Sequence, residues 1–192
     1  MLYKRNIIYV FVICLFVLTS CNSAYEQENN KVNSFSFIDQ NNQPFGTDKL
    51  LGSFWIASFI FTNCETVCPP MMFEIATLQK KFAEEDIHVE FVSFTVDPTV
   101  DTPETLKSYI QQFTDDEANW HVLTGFSQEE IEIFAREQFE TIVQKPKTST
   151  QVIHSTDFYL VDDQGYILNE YNYIDESYVE ELLKDIKKYK NK

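Results

Sequence analysis

The chain has 192 residues, with 15 lysines and arginines against 30 aspartates and glutamates, which gives a formal net charge of −15. Phosphate backbones repel a chain of this charge, so nucleic acid is excluded as a partner. A protein partner is expected to offer a neutral or basic face, although an acidic surface also simply keeps a protein soluble.

Residues 1–20 have the composition of a secretory signal peptide. Lys4 and Arg5 precede an apolar run over residues 7–18, which is shorter than the roughly 20 residues that span a bilayer. The following Leu18-Thr19-Ser20-Cys21 resembles the lipobox of bacterial lipoproteins, whose cysteine is lipidated and becomes the mature N-terminus. An uncleaved signal anchor is the alternative. We expect lipidation of Cys21 and anchoring at the outer face of the bacterial cell membrane.

Two further segments complete the predicted organisation. Residues 21–34 comprise the lipidated cysteine and a flexible tether, because residues 22–33 are polar, acidic and almost free of large apolar side chains. Residues 35–192 are long enough for one compact domain with a full core and offer no natural point of division.

The four cysteines divide into two groups. Cys14 leaves with the signal peptide and Cys21 is modified by lipid, so Cys64 and Cys68 remain in the mature domain. A disulfide between these two would close a very short loop, which constrains the unfolded chain least. The pair is therefore predicted to have a chemical rather than a structural role.

The residues around this pair predict a strand, a loop and a helix. The segment from Phe54 to Phe61 is apolar on both faces and predicts a buried central strand. Pro69 and Pro70 then predict a helix start, and apolar residues follow at helical spacing: Met72, Ile75, Leu78 and Phe82. Both thiols would lie at the helix N-terminus, where backbone N–H groups and the helix dipole favour the thiolate.

The remainder of the chain alternates strands and helices. Strands are predicted over 88–96, 120–123, 157–161 and 166–173, with a turn at 162–165 joining the last two as an antiparallel hairpin. Helices are predicted to start near Asp101, at the Ser127 capping box, and at Asp175 or Ser177, the last running to about Tyr189. This order predicts a thioredoxin-like α/β fold: a central mixed β-sheet flanked by helices, with a C-terminal hairpin and helix.

Three short motifs follow one another along the domain. The first is Phe61-Thr62-Asn63-Cys64 before Cys68-Pro69, with three residues between the cysteines where thioredoxins have two. The second is Val96-Asp97-Pro98 before Asp101-Thr102-Pro103. The third is His154-Ser155 before Tyr159-Leu160-Val161-Asp162 and Gly165. These motifs resemble the Sco/SenC family, thioredoxin-fold metallochaperones that help to build the dinuclear copper centre of cytochrome c oxidase.

The chain departs from the family pattern at three positions, none of which is a presumed ligand. The departures are Ser53, Glu65 and Ile153, where the family often has lysine, proline and aspartate. The missing aspartate before His154 leaves open which group orients the imidazole, since a ligating histidine usually donates its other N–H to an acceptor.

The resemblance implies a copper site with Cys64 and Cys68 as thiolate ligands, His154 as the third ligand, and Asp97 as support or a further ligand. Thiolates suit Cu(I) and an added imidazole suits Cu(II), so the site would hold one copper in either state. Structural zinc would need a fourth ligand, and the sequence supplies no convincing one. An open position would let copper pass to an acceptor by ligand exchange.

Partners are also implied by the resemblance. They are the copper-site subunit of cytochrome c oxidase, another copper chaperone or a thiol reductant, and the membrane through the lipid at Cys21. Two other functions stay open. The Cys64/Cys68 pair could act as a thiol–disulfide oxidoreductase that reduces the apo copper site. A peroxiredoxin-like peroxidase is disfavoured, because Phe61 stands where such enzymes have a peroxide-binding threonine.

Several neighbouring residues have simpler predicted roles. His88 and His121 are expected at the surface or in packing contacts at the start of strands. Met71 and Met72 begin an amphipathic helix and are expected in the core. Asp97 precedes Pro98, so a turn accounts for it as well as a role at the metal does.

Overall fold

The computed structural model describes residues 30–190. The predicted signal peptide and Cys21 lie outside these residues, and their assignment stays a prediction. The fold below belongs to a compact unit that runs from Val32 to Lys192. No helix within residues 30–190 is long and apolar enough to cross a membrane.

Strands and helices alternate along most of the domain. In chain order they are β1 (Ser36–Ile38), β2 (Pro44–Gly46), α1 (Thr47–Leu50), β3 (Phe54–Ile60), α2 (Cys68–Glu84), β4 (Val89–Thr95), α3 (Pro103–Ile110), β5 (Trp120–Leu123), α4 (Gln128–Phe139), β6 (Asp157–Val161), β7 (Ile167–Asn172) and α5 (Tyr178–Lys190). The strands and helices predicted from sequence are all present, with ends that differ by at most three residues.

A five-stranded mixed sheet forms the centre of the domain, in the order β5-β4-β3-β6-β7. The strands β3, β4 and β5 run parallel to one another, whereas β6 pairs antiparallel with both β3 and β7. All seven residues of β3 are buried, as its uninterrupted apolar sequence predicts for the middle strand. The predicted thioredoxin-like α/β fold with a mixed sheet and a C-terminal hairpin is confirmed.

Sequence patterns missed the first part of the domain. The short strands β1 and β2 form a separate antiparallel pair, and the four-residue helix α1 follows directly. Three-residue strands are too short to show a clear alternation of apolar and polar residues. Their position is fixed instead by a long-range bridge, in which Ile38 exchanges backbone hydrogen bonds of 2.9 and 2.8 Å with Thr124.

The packing agrees with the roles predicted for the two methionines of α2 and for the two histidines outside the third motif. Met71 and Met72 belong to α2, have no exposed surface and point into the core. The side chain of His88 is almost fully exposed beside Asp86. His121 stacks on the ring of Phe45, with 3.8 Å between centroids, so it is a packing residue.

Candidate metal centre

The cysteine loop lies at the edge of the sheet where β3 ends. Cys68 is the first residue of α2, one or two residues before the predicted start at Pro69 or Pro70, and the two prolines occupy the first helical turn. Prolines fit there because the N–H groups of the first turn have no partner within the helix. Cys64 is 5 % exposed and Cys68 is fully buried.

Backbone groups hold the loop in a tight conformation. The N–H of Cys64 donates to the carbonyl of Phe61 at 3.3 Å. The N–H of Cys68 donates to the sulfur of Cys64, also at 3.3 Å. Cys68 thus lies at the helix N-terminus as predicted, and its N–H, which has no partner within the helix, donates to the other sulfur of the pair.

His154 lies at the same edge of the sheet, in the segment just before β6, the strand that pairs with β3. Because β6 runs antiparallel to β3, the residues just before β6 lie beside the residues just after β3. The imidazole Nε2 of His154 lies 3.4 Å from the sulfur of Cys68. The two sulfurs and the imidazole nitrogen all lie within 4.8 Å of one another.

A backbone carbonyl orients the imidazole. The Nδ1–H of His154 donates to the carbonyl oxygen of Ser155 at 2.7 Å, which leaves the lone pair of Nε2 facing the thiols. The ring also packs edge-on against Phe61, with 5.6 Å between centroids. The carbonyl takes the place of the aspartate that the family often has at position 153, where Ile153 is more than half exposed.

Hydrogen bonds hold the segment before His154 in its conformation. Gln144 and Ile153 exchange two backbone hydrogen bonds of 2.9 Å, which close the intervening residues into a loop. The side-chain amide of Gln151 donates to the carbonyl of Asn63 at 3.1 Å, directly across to the cysteine loop. These contacts tie the histidine segment to the cysteine segment independently of a metal ion.

Asp97 is buried near this edge but is engaged elsewhere. It is 2 % exposed, and its Oδ1 accepts hydrogen bonds from the ammonium of Lys145 and from the hydroxyl of Thr99. Its backbone carbonyl accepts the N–H groups of Val100 and Asp101, which is the turn that its position before Pro98 also suggested. The group of potential metal ligands found within residues 30–190 consists of Cys64, Cys68 and His154, without Asp97.

Asp101, which the sequence places only at a helix start, has a larger role in the structure. Its carboxylate accepts hydrogen bonds from the backbone and hydroxyl of Thr62 and from the hydroxyl of Thr95. Thr102, the next residue, caps α3 by accepting from the N–H of Thr105. Asp101 thus anchors the start of the cysteine loop. Burial raises the pKa of its carboxyl, against the lowering effect of the threonine donors.

The two thiols differ in their affinity for protons. Both are free rather than joined in a disulfide. The hydrogen bond from the Cys68 thiol lowers the pKa of Cys64 far below its usual value, with further help from the backbone of Thr66 and Cys68 and against the effect of burial. The same hydrogen bond, together with burial, raises the pKa of Cys68. The pair therefore holds one proton and one negative charge, with Cys64 as the thiolate.

The ligand set fits a soft or borderline metal ion. Metal–sulfur bonds are about 2.3 Å long, so three ligand atoms arranged trigonally about one metal lie about 4 Å apart. The observed limit of 4.8 Å therefore requires the ligand atoms to move together by less than about 1 Å. Two sulfurs and one imidazole nitrogen suit copper, and they leave a coordination position open.

Comparison with known proteins places the chain among its relatives. The family model described as SCO1/SenC matches residues 23–191. The chain belongs to the SCO1/SenC family. This membership confirms the resemblance carried by the three motifs, which include all three members of the cysteine–histidine cluster.

Solved structures of other SCO1/SenC proteins share the fold. A family lipoprotein from Bacillus anthracis is 47% identical with a TM-score of 0.80, over 83% of this chain and 95% of that one. BsSco, described as a member of the Sco family of cytochrome c oxidase assembly proteins, is 43% identical with a TM-score of 0.75, over 83% and 92%. ScoI of Arabidopsis thaliana, solved with copper bound, is 27% identical with a TM-score of 0.71, over 82% and 98%.

Proposed function

We propose that this protein binds one copper ion through Cys64, Cys68 and His154 and delivers it to the dinuclear copper site of cytochrome c oxidase. The observation that carries the proposal is the convergence of the three ligand atoms to within 4.8 Å. The copper-bound relative from Arabidopsis thaliana supports the choice of metal. The printed description of BsSco supports the role in oxidase assembly.

The site has the properties that a copper carrier needs. Thiolates hold Cu(I) well and the imidazole adds affinity for Cu(II), so one set of ligands can serve both oxidation states. Three ligands leave a position at which a ligand of the acceptor can bind before the carrier releases the ion. A partner with a neutral or basic face would complement the acidic chain, whose net charge is −15.

Copper titration of the purified, reduced full-length chain tests the ligand assignment. We expect one copper per protein, and loss of that stoichiometric binding in Cys64→Ala and in His154→Ala. His88→Ala is the matched control, because His88 is exposed and lies outside the cluster. Undiminished Cu(II) binding by the Cys64 or His154 variant would show that the site is wrongly assigned.

A second function is favoured by the state of the thiols. Both are free, and the lowered pKa of Cys64 makes it a nucleophile at neutral pH. The Cys64 thiolate would attack a disulfide in the acceptor, and one acceptor sulfur would leave as a thiol. Cys68 would then resolve the mixed disulfide, which leaves a Cys64–Cys68 disulfide and a fully reduced acceptor.

A deletion strain distinguishes delivery from reduction. If delivery is the main role, added copper should restore cytochrome c oxidase activity to cells that lack this gene. If reduction is the main role, a small thiol should restore it instead. Failure of both additions to restore activity in a strain that the intact gene does rescue would contradict both functions.

The proposal includes a location at the outer face of the bacterial cell membrane, with Cys21 lipidated. The Leu18-Thr19-Ser20-Cys21 motif supports it, and the similar Bacillus anthracis protein is described as a lipoprotein. Globomycin, which blocks lipoprotein signal cleavage, should cause a heavier precursor to accumulate. An unchanged mass would contradict lipidation, and Cys21→Ser should reproduce the effect of the drug.

A further inference from the structure

Tyr159 places a hydroxyl group among the apolar residues of β6. The residue is 2 % exposed, and its strand pairs with β3 on one side and with β7 on the other. Its ring packs edge-on against Phe59 and Phe139, with 6.2 and 5.1 Å between centroids. Phenylalanine would make these ring contacts equally well, so packing alone does not account for the hydroxyl.

The hydroxyl of Tyr159 meets the side chain of Ser155, which lies two residues before β6. The two hydroxyl oxygens are 3.2 Å apart. The Ser155 oxygen also lies 3.5 Å from the backbone nitrogen of Asp157, the first residue of β6. Burial raises the pKa of Tyr159, so the phenol keeps its proton at neutral pH. The tyrosine is therefore the nearer of two groups that hold the serine side chain.

The contact between these two hydroxyl groups requires a bend in the chain. Four residues of an extended strand span about 13 Å, and two side chains on the same face would stand that far apart. Ser155 and Tyr159 are four residues apart, yet their hydroxyl groups are within hydrogen-bond distance. The chain therefore folds back over the tyrosine at residues 154–156, which belong to no strand or helix.

This bend decides where the Ser155 carbonyl points. That carbonyl accepts the Nδ1–H of His154 at 2.7 Å, and Nε2 of the same ring faces the sulfur of Cys68 at 3.4 Å. A hydroxyl group in the core is thus linked, through one serine, to the imidazole of the metal centre.

We propose that Tyr159 is a positioning residue for His154. Its hydrogen bond with the Ser155 hydroxyl holds the Ser155 carbonyl against Nδ1, and this fixes the tautomer and the direction of the imidazole. Only the consequence for copper binding rests on the function proposed above, because the tautomer is a property of the metal-free protein.

Tyr159→Phe tests the proposal, since it removes one oxygen and keeps the ring. Imidazole nitrogen NMR of the reduced, metal-free full chain reports the tautomer, and the His154 signals are those that disappear in His154→Ala. In the wild type we expect the ring to carry its proton on Nδ1 alone. In Tyr159→Phe we expect a mixture of both tautomers and about tenfold faster exchange of the Nδ1 proton with water, as the loss of one hydrogen bond predicts.

Two substitutions at Ser155 test the same link from its partly exposed end, without a change in the core. Ser155→Ala removes the hydroxyl and leaves the carbonyl, so it should reproduce the effect of Tyr159→Phe. Ser155→Thr keeps a hydroxyl and should retain the wild-type tautomer. Because the two hydroxyl groups form one link, the double variant with Tyr159→Phe and Ser155→Ala should change proton exchange no more than either single substitution does.

Copper affinity, measured by competition with a chelator, should fall about tenfold in Tyr159→Phe, which is the lower end of the effect of groups that support a metal ligand. Tyr171→Phe is the matched control, because Tyr171 lies on the neighbouring strand β7, is similarly buried and donates to Asp185 instead. The control should be less stable to heat and should keep the wild-type tautomer, proton exchange and copper affinity.

The outcomes also distinguish this proposal from the proposed function. A wild-type tautomer and proton exchange in Tyr159→Phe would overturn the positioning role, whatever the protein does with copper. Equal changes in Tyr171→Phe and Tyr159→Phe would overturn it too, because a general loosening of the sheet would then be the cause. A wild-type chain that binds no copper would overturn the carrier function instead, and the tautomer of the metal-free variants would still decide the role of Tyr159.

Discussion

The orientation of His154 depends on a backbone carbonyl, that of Ser155, rather than on a side chain. Such an acceptor leaves no trace in the sequence, because every residue carries a carbonyl group. Because this carbonyl accepts the hydrogen bond, no carboxylate is required at position 153, where the side chain of Ile153 is exposed. The three candidate ligands could thus be predicted from motifs, while the group that orients one of them could not.

The reactivity of Cys64 towards iodoacetamide provides a test at the level of single residues. Hydrogen bonds from the Cys68 thiol and from the backbone of Thr66 lower the pKa of Cys64, so its thiolate persists as the pH falls. The alkylation rate should be nearly constant between about pH 6 and pH 8. The rate of an ordinary thiol falls about tenfold over this range for each unit by which the pH is lowered.

Cys68→Ala supplies the comparison for this measurement. The variant lacks the thiol that contributes most to the lowered pKa of Cys64, so the pKa should rise and alkylation at about pH 6 should slow markedly. A wild-type rate that climbs tenfold per pH unit would contradict the assignment of Cys64 as the resident thiolate.

The loop between α4 and β6 brings the histidine to the cysteines. It is fastened through the Gln144–Ile153 bridge, the hydrogen bond from Gln151 to Asn63, and the ion pair between Lys145 and Asp97. The sequence offered no strand or helix pattern for this loop. Its conformation depends on long-range contacts, so only the folded structure could place it.

Removal of the Lys145 ammonium tests the importance of that ion pair. Lys145→Met keeps the length of the side chain and leaves the buried carboxylate of Asp97 with the Thr99 hydroxyl as its remaining side-chain donor. We expect a loss of about 2–3 kcal/mol in the free energy of unfolding, because an unpaired buried charge is costly. Copper affinity should fall as well, since the loop also positions His154.

Lys187→Met is the matched control for this substitution. Lys187 pairs with Glu85 at the surface, where solvent screening leaves an ion pair with little effect on stability. Urea unfolding followed by circular dichroism measures both variants. Equal stability losses in the two variants would contradict a special role for the Lys145–Asp97 pair.

Across the whole molecule, the topology of the sheet creates the site. The cysteine loop follows β3, and the histidine precedes β6, which pairs antiparallel with β3. Asp97 and Asp101 follow β4, which lies parallel to β3 on its other side and therefore ends at the same edge. Residues from three distant segments meet here because the central strand has one neighbour of each orientation.

Copper should stabilise the folded domain if the site is formed only in the native state. A ligand present at about 100 times its dissociation constant adds about 2.7 kcal/mol to the free energy of unfolding. For a domain of this size, that corresponds to a rise of about 5–10 °C in melting temperature.

Calorimetry of the full chain with and without one equivalent of copper measures this effect. His154→Ala should show a much smaller rise, because its site lacks the third ligand. An equal rise in the variant and the wild type would indicate that copper stabilises the protein at another place.

The order of strands and helices, the central position of β3 and the identity of the candidate ligands could all be predicted from the amino-acid sequence. Apolar periodicity, prolines at a helix start and short motifs are local features, so they can be recognised without coordinates. Only the folded structure shows that Asp97 pairs with Lys145 and that Asp101 anchors Thr62. These facts depend on which side chains meet across the sheet, and contacts between distant segments leave no regular pattern in a single chain.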